Sequence, residues 1–181
     1  MNENRYRPRM RFFHPNAKGT GCALSLELLP ASEGNEGCIM ASLANQQTVG
    51  GIQGSERTYP TFNWEEALTV KLGFADLCKM LQVMRGESES LGDGKGLYHS
   101  SGKSNTRISM RHLVEPVSGY ALDVNRMFGD GREARASILL SPWEALGLAE
   151  SIAGSMSVIS FGVPSVRMRA EKPADGKHEA A

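Results

Sequence analysis

Residues 66–86 read EALTVKLGFADLCKMLQVMRG, and residues 134–153 read ARASILLSPWEALGLAESIA. Each passes from period-two alternation to spacings of three and four across a very short connection. In the first, Leu68, Val70 and Leu72 share one side of a strand, with Ala67, Thr69 and Lys71 on the other. Phe74, Leu77, Cys78, Leu81 and Met84 then form a helical stripe that Gly86 ends. In the second, Ala134, Ala136, Ile138 and Leu140 point inward. Ser141-Pro142-Trp143-Glu144 then opens a helix. The Ser141 hydroxyl can accept from an early amide, Pro142 needs no donor in the first turn, and Glu144 completes a capping box. Leu146, Ala149, Ile152, Ala153 and Met156 are its expected buried stripe.

Strands precede both junctions. MRFFH (10–14) is a short one, TGCALSLELL (20–29) places Cys22, Leu24, Leu26 and Leu28 on one face, and GCIMASLAN (37–45) is more continuously apolar. In the second half, GLYHS (96–100), TRISMRHLVE (106–115) and GYALDVNRMF (119–128) alternate in the same way. The order is ββββα–ββββα. This is an α+β fold with an internal duplication, two antiparallel four-stranded sheets packed with two helices. Each sheet hides one face on the helices and leaves the other in water.

The bulk properties agree with a single domain. The chain has 181 residues, 40% of them hydrophobic, enough for a packed core. Twenty basic and twenty acidic side chains give zero net charge, which argues against a protein held to nucleic acid by bulk charge alone. No run of 18 apolar residues exists, and no apolar stretch near the start reads as a secretory signal. Cys22, Cys38 and Cys78 are odd in number and widely spaced, so a reducing, cytoplasmic setting suits them better than disulfides or zinc. His14, His99, His112 and His178 lack metal-ligand spacing, and neither a metal nor a cofactor is expected. We expect a basic arm over residues 1–9, one domain over 10–164 and a disordered tail over 165–181. Arg5, Arg7, Arg9 and Arg11 alternate near the start and could touch phosphates.

Strand parity also assigns the wet faces. They carry Thr69 and Lys71, then Arg107, Ser109 and Arg111, then Arg135 and Ser137, with Glu27 and Asp123 as the main acids. A basic, hydroxyl-rich sheet can track a phosphate backbone, although surface strands also carry Lys and Arg merely to stay soluble. Phe12, Phe13, Tyr59, Phe62 and Trp64 lie at strand starts or loop edges. A base stacked on such a ring gains about 1–3 kcal/mol, whereas Trp64 could equally be an anchor buried under a helix. Tyr98, near Lys95, His99 and Lys103, stands in a polar, glycine-rich stretch.

Three features resemble the Whirly proteins, plant factors that bind single-stranded DNA, and more loosely the coactivators and guide-RNA-binding proteins that share their fold. Residues 17–26, AKGTGCALSL, are similar to the family's KGKAAL segment, and Phe62-Asn63-Trp64 is similar to its YDW segment. The repeat order over residues 10–162 is the third feature. Lys18 and Gly19 match the lysine and glycine of KGKAAL, and Phe62 and Trp64 match the aromatics of YDW. Thr20-Gly21 replaces the second lysine, while Phe62 and Asn63 replace Tyr and Asp. The resemblance implies near-perpendicular sheets, a homo-oligomer (a tetramer), and single strands running across the sheets with little sequence preference.

Together these readings single out Lys18, Gly19, Phe62, Trp64, Lys71, Tyr98, Arg107 and Arg111 for contact with single-stranded DNA or RNA. Lys18, Lys71, Arg107 and Arg111 would neutralise phosphates, and Phe62 and Tyr98 would stack bases. The alternative is a protein-interaction scaffold using the same sheets. Residues 96–104, GLYHSSGKS, approach a phosphate-binding loop but hold five residues where four are needed, and they lead into a strand rather than a helix. No nucleophile–base–acid set stands out, so an enzyme is not expected. Gly92–Gly96 reads as a flexible turn.

Overall fold

The structure, a computed structural model, describes residues 8–163. Residues 1–7 of the basic arm and the tail over 165–181 lie outside the described residues. The first repeat contains β1 (Arg9–His14), β2 (Cys22–Leu29), β3 (Cys38–Thr48), β4 (Gly51–Gln53), β5 (Glu56–Thr58), β6 (Thr61–Phe62), β7 (Leu68–Leu72) and α1 (Phe74–Met84). The second contains β8 (Leu97–Ser101), β9 (Ser104–Leu113), β10 (Gly119–Phe128), β11 (Glu133–Leu140) and α2 (Pro142–Phe161).

Sheet one runs β1-β2-β3, with both β6 and β7 pairing β3. Sheet two runs β8-β9-β10-β11. Every pairing is antiparallel. The expected four-stranded first sheet therefore gains β6 as a fifth strand, and β4 and β5 form a separate hairpin. Arg9 belongs to β1 rather than to an arm.

The repeats superpose through their registers. Leu72 and Leu140 end the strands that lead into the helices, and they pair with Ile39 and Tyr120 respectively. Counting from these pairs makes Ser42 the counterpart of Asp123, Ser25 of Ser109, Phe13 of Tyr98 and His14 of His99.

The inner faces make one continuous core. Leu24, Leu43, Leu72, Ile108, Met110 and Leu140 are almost fully buried, joined by Leu77 and Met80 of α1 and Leu148 and Ile152 of α2. The helices pack on each other and on strands of both repeats, α1 on β9 and β7, α2 on β10, β11 and β2. Truncating any of these leucines to Ala removes about 2–5 kcal/mol.

Two expectations for the helices are corrected. Phe74 and Leu146 are exposed, and Cys78 is only half-buried. The inner stripe of α2 is instead Ala145, Leu148, Ala149, Ile152 and Ile159. Leu146 and Trp143 sit one turn-position away, on the outer side.

A reciprocal exchange ties the repeats together. His14 of β1 contacts Glu144 at the start of α2 (Nε2 to Oε1, 2.8 Å), and its counterpart His99 of β8 contacts Asp76 at the start of α1 (Nε2 to Oδ2, 3.1 Å). Both acids hold the third helical position and accept from the residue before the helix, the Gly73 amide for Asp76 and the Ser141 amide for Glu144. The expected capping box is present, and the Ser141 hydroxyl also donates to the Glu144 carboxylate at 2.6 Å. Burial alone would push the Glu144 carboxyl up. Hydrogen bonds from the Ser141 hydroxyl, His14 and the Ser141 amide outweigh it and hold the group below the usual carboxylate range. Elsewhere, Arg126 of β10 donates to the Thr69 carbonyl (2.6 Å) and Asn45 of β3 to the Arg135 carbonyl (2.9 Å), fastening sheet to sheet.

Candidate nucleic-acid interface

The outer face of each sheet is a set of cross-strand rows. In sheet one these are Arg9–Glu27–Met40–Lys71, Arg11–Ser25–Ser42–Thr69, and Phe13–Ala23–Ala44. In the last row the alanines leave room above the strands. Phe13 approaches Phe62 (ring centroids 5.6 Å apart) and Trp64 (6.4 Å, edge-on), and the Arg11 guanidinium lies 5.7 Å from the Trp64 ring centre. Ala23 and Ala44 are fully buried even though their strand parity is outward. Trp64 is partly exposed on the open face, so the reading of it as an anchor under a helix does not hold.

Beside this aromatic group lies a cleft of about 360 Å³, floored by Ser25, Ser42, Thr69 and Met40 and walled by Arg9, Arg11 and Trp64. Arg9 pairs with Glu27 at 2.8 Å, and Ser42 shares a 2.8 Å hydrogen bond with Thr69. Lys71 is exposed at the far end of the same face, with no hydrogen bond or ion pair of its side chain among the described residues.

Sheet two presents different rows: Arg111–Ala121–Leu139, Ser109–Asp123–Ser137, and Tyr98–Arg107–Asn125–Arg135. Tyr98 is exposed on the β8 edge, and the Arg107 guanidinium lies 5.9 Å from its ring centre. Arg107 also donates to the carbonyls of Lys95 and Gly94, both at 2.9 Å. It therefore clasps the 3-10 turn Leu91–Gly94, which is tied down rather than a free turn, and only part of its donor set faces water. Arg111 and Arg135 flank the buried Asp123 carboxylate at 3.7 and 3.4 Å.

Lys18 and Gly19 stand on neither sheet face. They lie in the β1–β2 turn, where the Asn16 carboxamide oxygen accepts from the Lys18 and Thr20 amides, at 3.0 and 3.1 Å. Buried Gln46 accepts from the Asn16 and Gly21 amides and donates to the Asn16 and Thr48 carbonyls. Gly21 has no alternative, because a Cβ there would collide with the His14 carbonyl. Lys18 projects from a rigid turn and is exposed.

The eight residues singled out from sequence thus divide among three places. Phe62, Trp64 and Lys71 share the first sheet, Tyr98, Arg107 and Arg111 share the second, and Lys18 and Gly19 form the turn. Sequence reasoning left Phe13, Arg11 and Arg135 outside this set. Parity already placed Arg135 outward, and the same test applied to MRFFH puts Arg11 and Phe13 on one face. The GLYHSSGKS stretch is the β8–β9 hairpin. Among the described residues no three His, Cys, Asp or Glu side chains cluster as a metal site, and no helix is long and apolar enough to cross a membrane. The cysteines are free thiols, and burial pushes that of Cys22 up to about 11.

A duplicated domain with two open antiparallel faces, one rich in aromatics and one in guanidinium groups, is the class this structure defines. Its fold is Whirly-like. It is similar to WHY1 from Arabidopsis thaliana, with a TM-score of 0.64 and 12% identity over 86% of each chain. It is similar also to WHY3 from Arabidopsis thaliana (TM-score 0.63, 12% identity, 87% of this chain and 90% of that one). The plant transcriptional regulator PBF-2 matches with a TM-score of 0.63 and 13% identity, over 86% of this chain and 83% of that one. No family model matches the sequence, and no curated protein matches it.

Proposed function

We propose that the protein is a non-catalytic binder of single-stranded nucleic acid, with DNA as the leading ligand, and with little sequence preference. The observation that carries the reading is the pair of equivalent edge rings, Phe13 and Tyr98. Each lies on an open sheet face beside further arginine or aromatic groups. Rings accept any base by stacking, and guanidinium groups neutralise the backbone without reading sequence. The likeness in fold to a plant transcriptional regulator supports the same reading. Lys18, Lys71, Arg107 and Arg111 serve as phosphate contacts, and Phe13, Phe62, Trp64 and Tyr98 as stacking surfaces, with Gly19 shaping the Lys18 turn. A fluorescence-anisotropy titration with an oligo-dT strand and with its duplex tests this. Tighter binding to the single strand, weakening steeply with salt, is the expected result. Absent binding, or equal binding to the two, removes the proposal.

The working unit in this proposal is a homo-oligomer in the reducing cytoplasm. The outer side of α2 supports self-association. Trp143, Leu146 and Phe161 are 75%, 63% and 89% exposed, an unusual density of large apolar groups on one helix. Light scattering of the wild type and of Trp143→Glu checks it, the variant being expected to dissociate. A monomeric wild type would refute this part alone.

A further inference from the structure

Resting on that reading, we infer that Asp123 limits the affinity of the second sheet. Its carboxylate occupies the place between Arg111 and Arg135 that a phosphate of the bound strand would take. The side chain of Asp123 is only 5% exposed, although it stands in the middle of an open face. Two guanidinium groups reach it diagonally from β9 and β11, on side chains that are 54% and 68% exposed. Their contacts with the carboxylate are long, 3.7 and 3.4 Å, against the 2.7–2.9 Å of a well-made charged hydrogen bond. One anion thus sits loosely between two cations whose remaining donors face solvent.

The first sheet shows that the fold does not require a carboxylate there. Ser42, the counterpart of Asp123, has Ser25 and Thr69 as its cross-strand neighbours, just as Asp123 has Ser109 and Ser137. Ser42 satisfies itself with a hydroxyl bond to Thr69 at 2.8 Å. Asp123 is therefore a charge added to a position that a hydroxyl fills elsewhere in the same chain. Its effect on a passing phosphate is to cancel one of the two guanidinium charges the phosphate would meet.

The test is anisotropy of a labelled oligo-dT strand against salt, for wild type, Asp123→Asn and Asp123→Ser, with circular dichroism and thermal melts to confirm folding. Removing the carboxylate frees one cation. The slope of log K against log salt should steepen by about 0.7, and binding at 0.1 M salt should tighten about fivefold. Arg111→Gln and Arg135→Gln should each do the reverse by the same amount. If folded Asp123 variants bind no tighter than wild type, or more weakly, the carboxylate organises the arginines instead and the inference is overturned. If both variants fail to fold, the comparison with Ser42 is wrong and the inference falls as well. A wild type that binds no oligo-dT would instead defeat the proposed function itself.

Discussion

Where sheet one carries Phe13, Ala23 and Ala44 in a row roofed by Phe62 and Trp64, sheet two carries Tyr98, Arg107, Asn125 and Arg135 at the equivalent places. Small residues in the first row let rings converge from both edges. Long cations in the second hold the space open and charged. The inward equivalents stay mostly apolar while changing identity, as in Val70 and Ile138 or Leu24 and Ile108, because both repeats share one core. In the proposed function the same backbone carries mainly stacking rings on one sheet and mainly phosphate-neutralising groups on the other.

That division of labour can be broken most severely by removing the charge from one side. Replacing Arg107, Arg111 and Arg135 with Gln should lower affinity for a single strand about a hundredfold at 0.1 M salt and flatten the salt slope by about 2, since each lost phosphate contact is worth about 0.7. Anisotropy over a salt series reads both quantities. On the other side, Trp64→Ala should weaken binding about tenfold, in the range of one lost stacked base, and leave the salt slope where it was. A change in slope for Trp64→Ala would mean that its ring also holds Arg11 as a phosphate contact beside Lys71.

The symmetry itself can be sharpened by thermal denaturation. His14→Ala and His99→Ala should each cost about 1 kcal/mol, the worth of one partly buried hydrogen bond, because the two contacts occupy equivalent places in the repeats. A clear inequality would show that the repeats are not energetically equivalent. The smallest effect concerns pH. Glu144 titrates lower in the folded protein than in the unfolded chain, so the stability it contributes is full above the ordinary carboxylate range and drains away as pH falls through the depressed value. Glu144→Gln should flatten that acid arm of a stability–pH profile.

Much of the fold was legible. VKLGFADL and ILLSPWEAL announce a strand entering a helix because alternation and capping are local properties, and the repeat follows from seeing the junction twice. The hairpin over residues 51–58, GIQGSERT, was not legible, having a single large apolar residue, Ile52, and no alternation. Leu146 was misplaced because α2 is apolar nearly all round, so composition could not choose the inner side. Of the site, parity found the outward arginines of β9 and β11. It could not show that Arg107 would be drawn to the carbonyls of Gly94 and Lys95, which the turn presents only after β8 and β9 have paired.

The chain alone determined which residues alternate, where helices begin, and that one unit occurs twice, since each depends on neighbours within a few positions. Which outward residues share a row, which histidine meets which helix, and that one aspartate lies between two arginines depended on strand register and on helices packed between the repeats. Those are set by packing among residues tens of positions apart, and no local pattern encodes them.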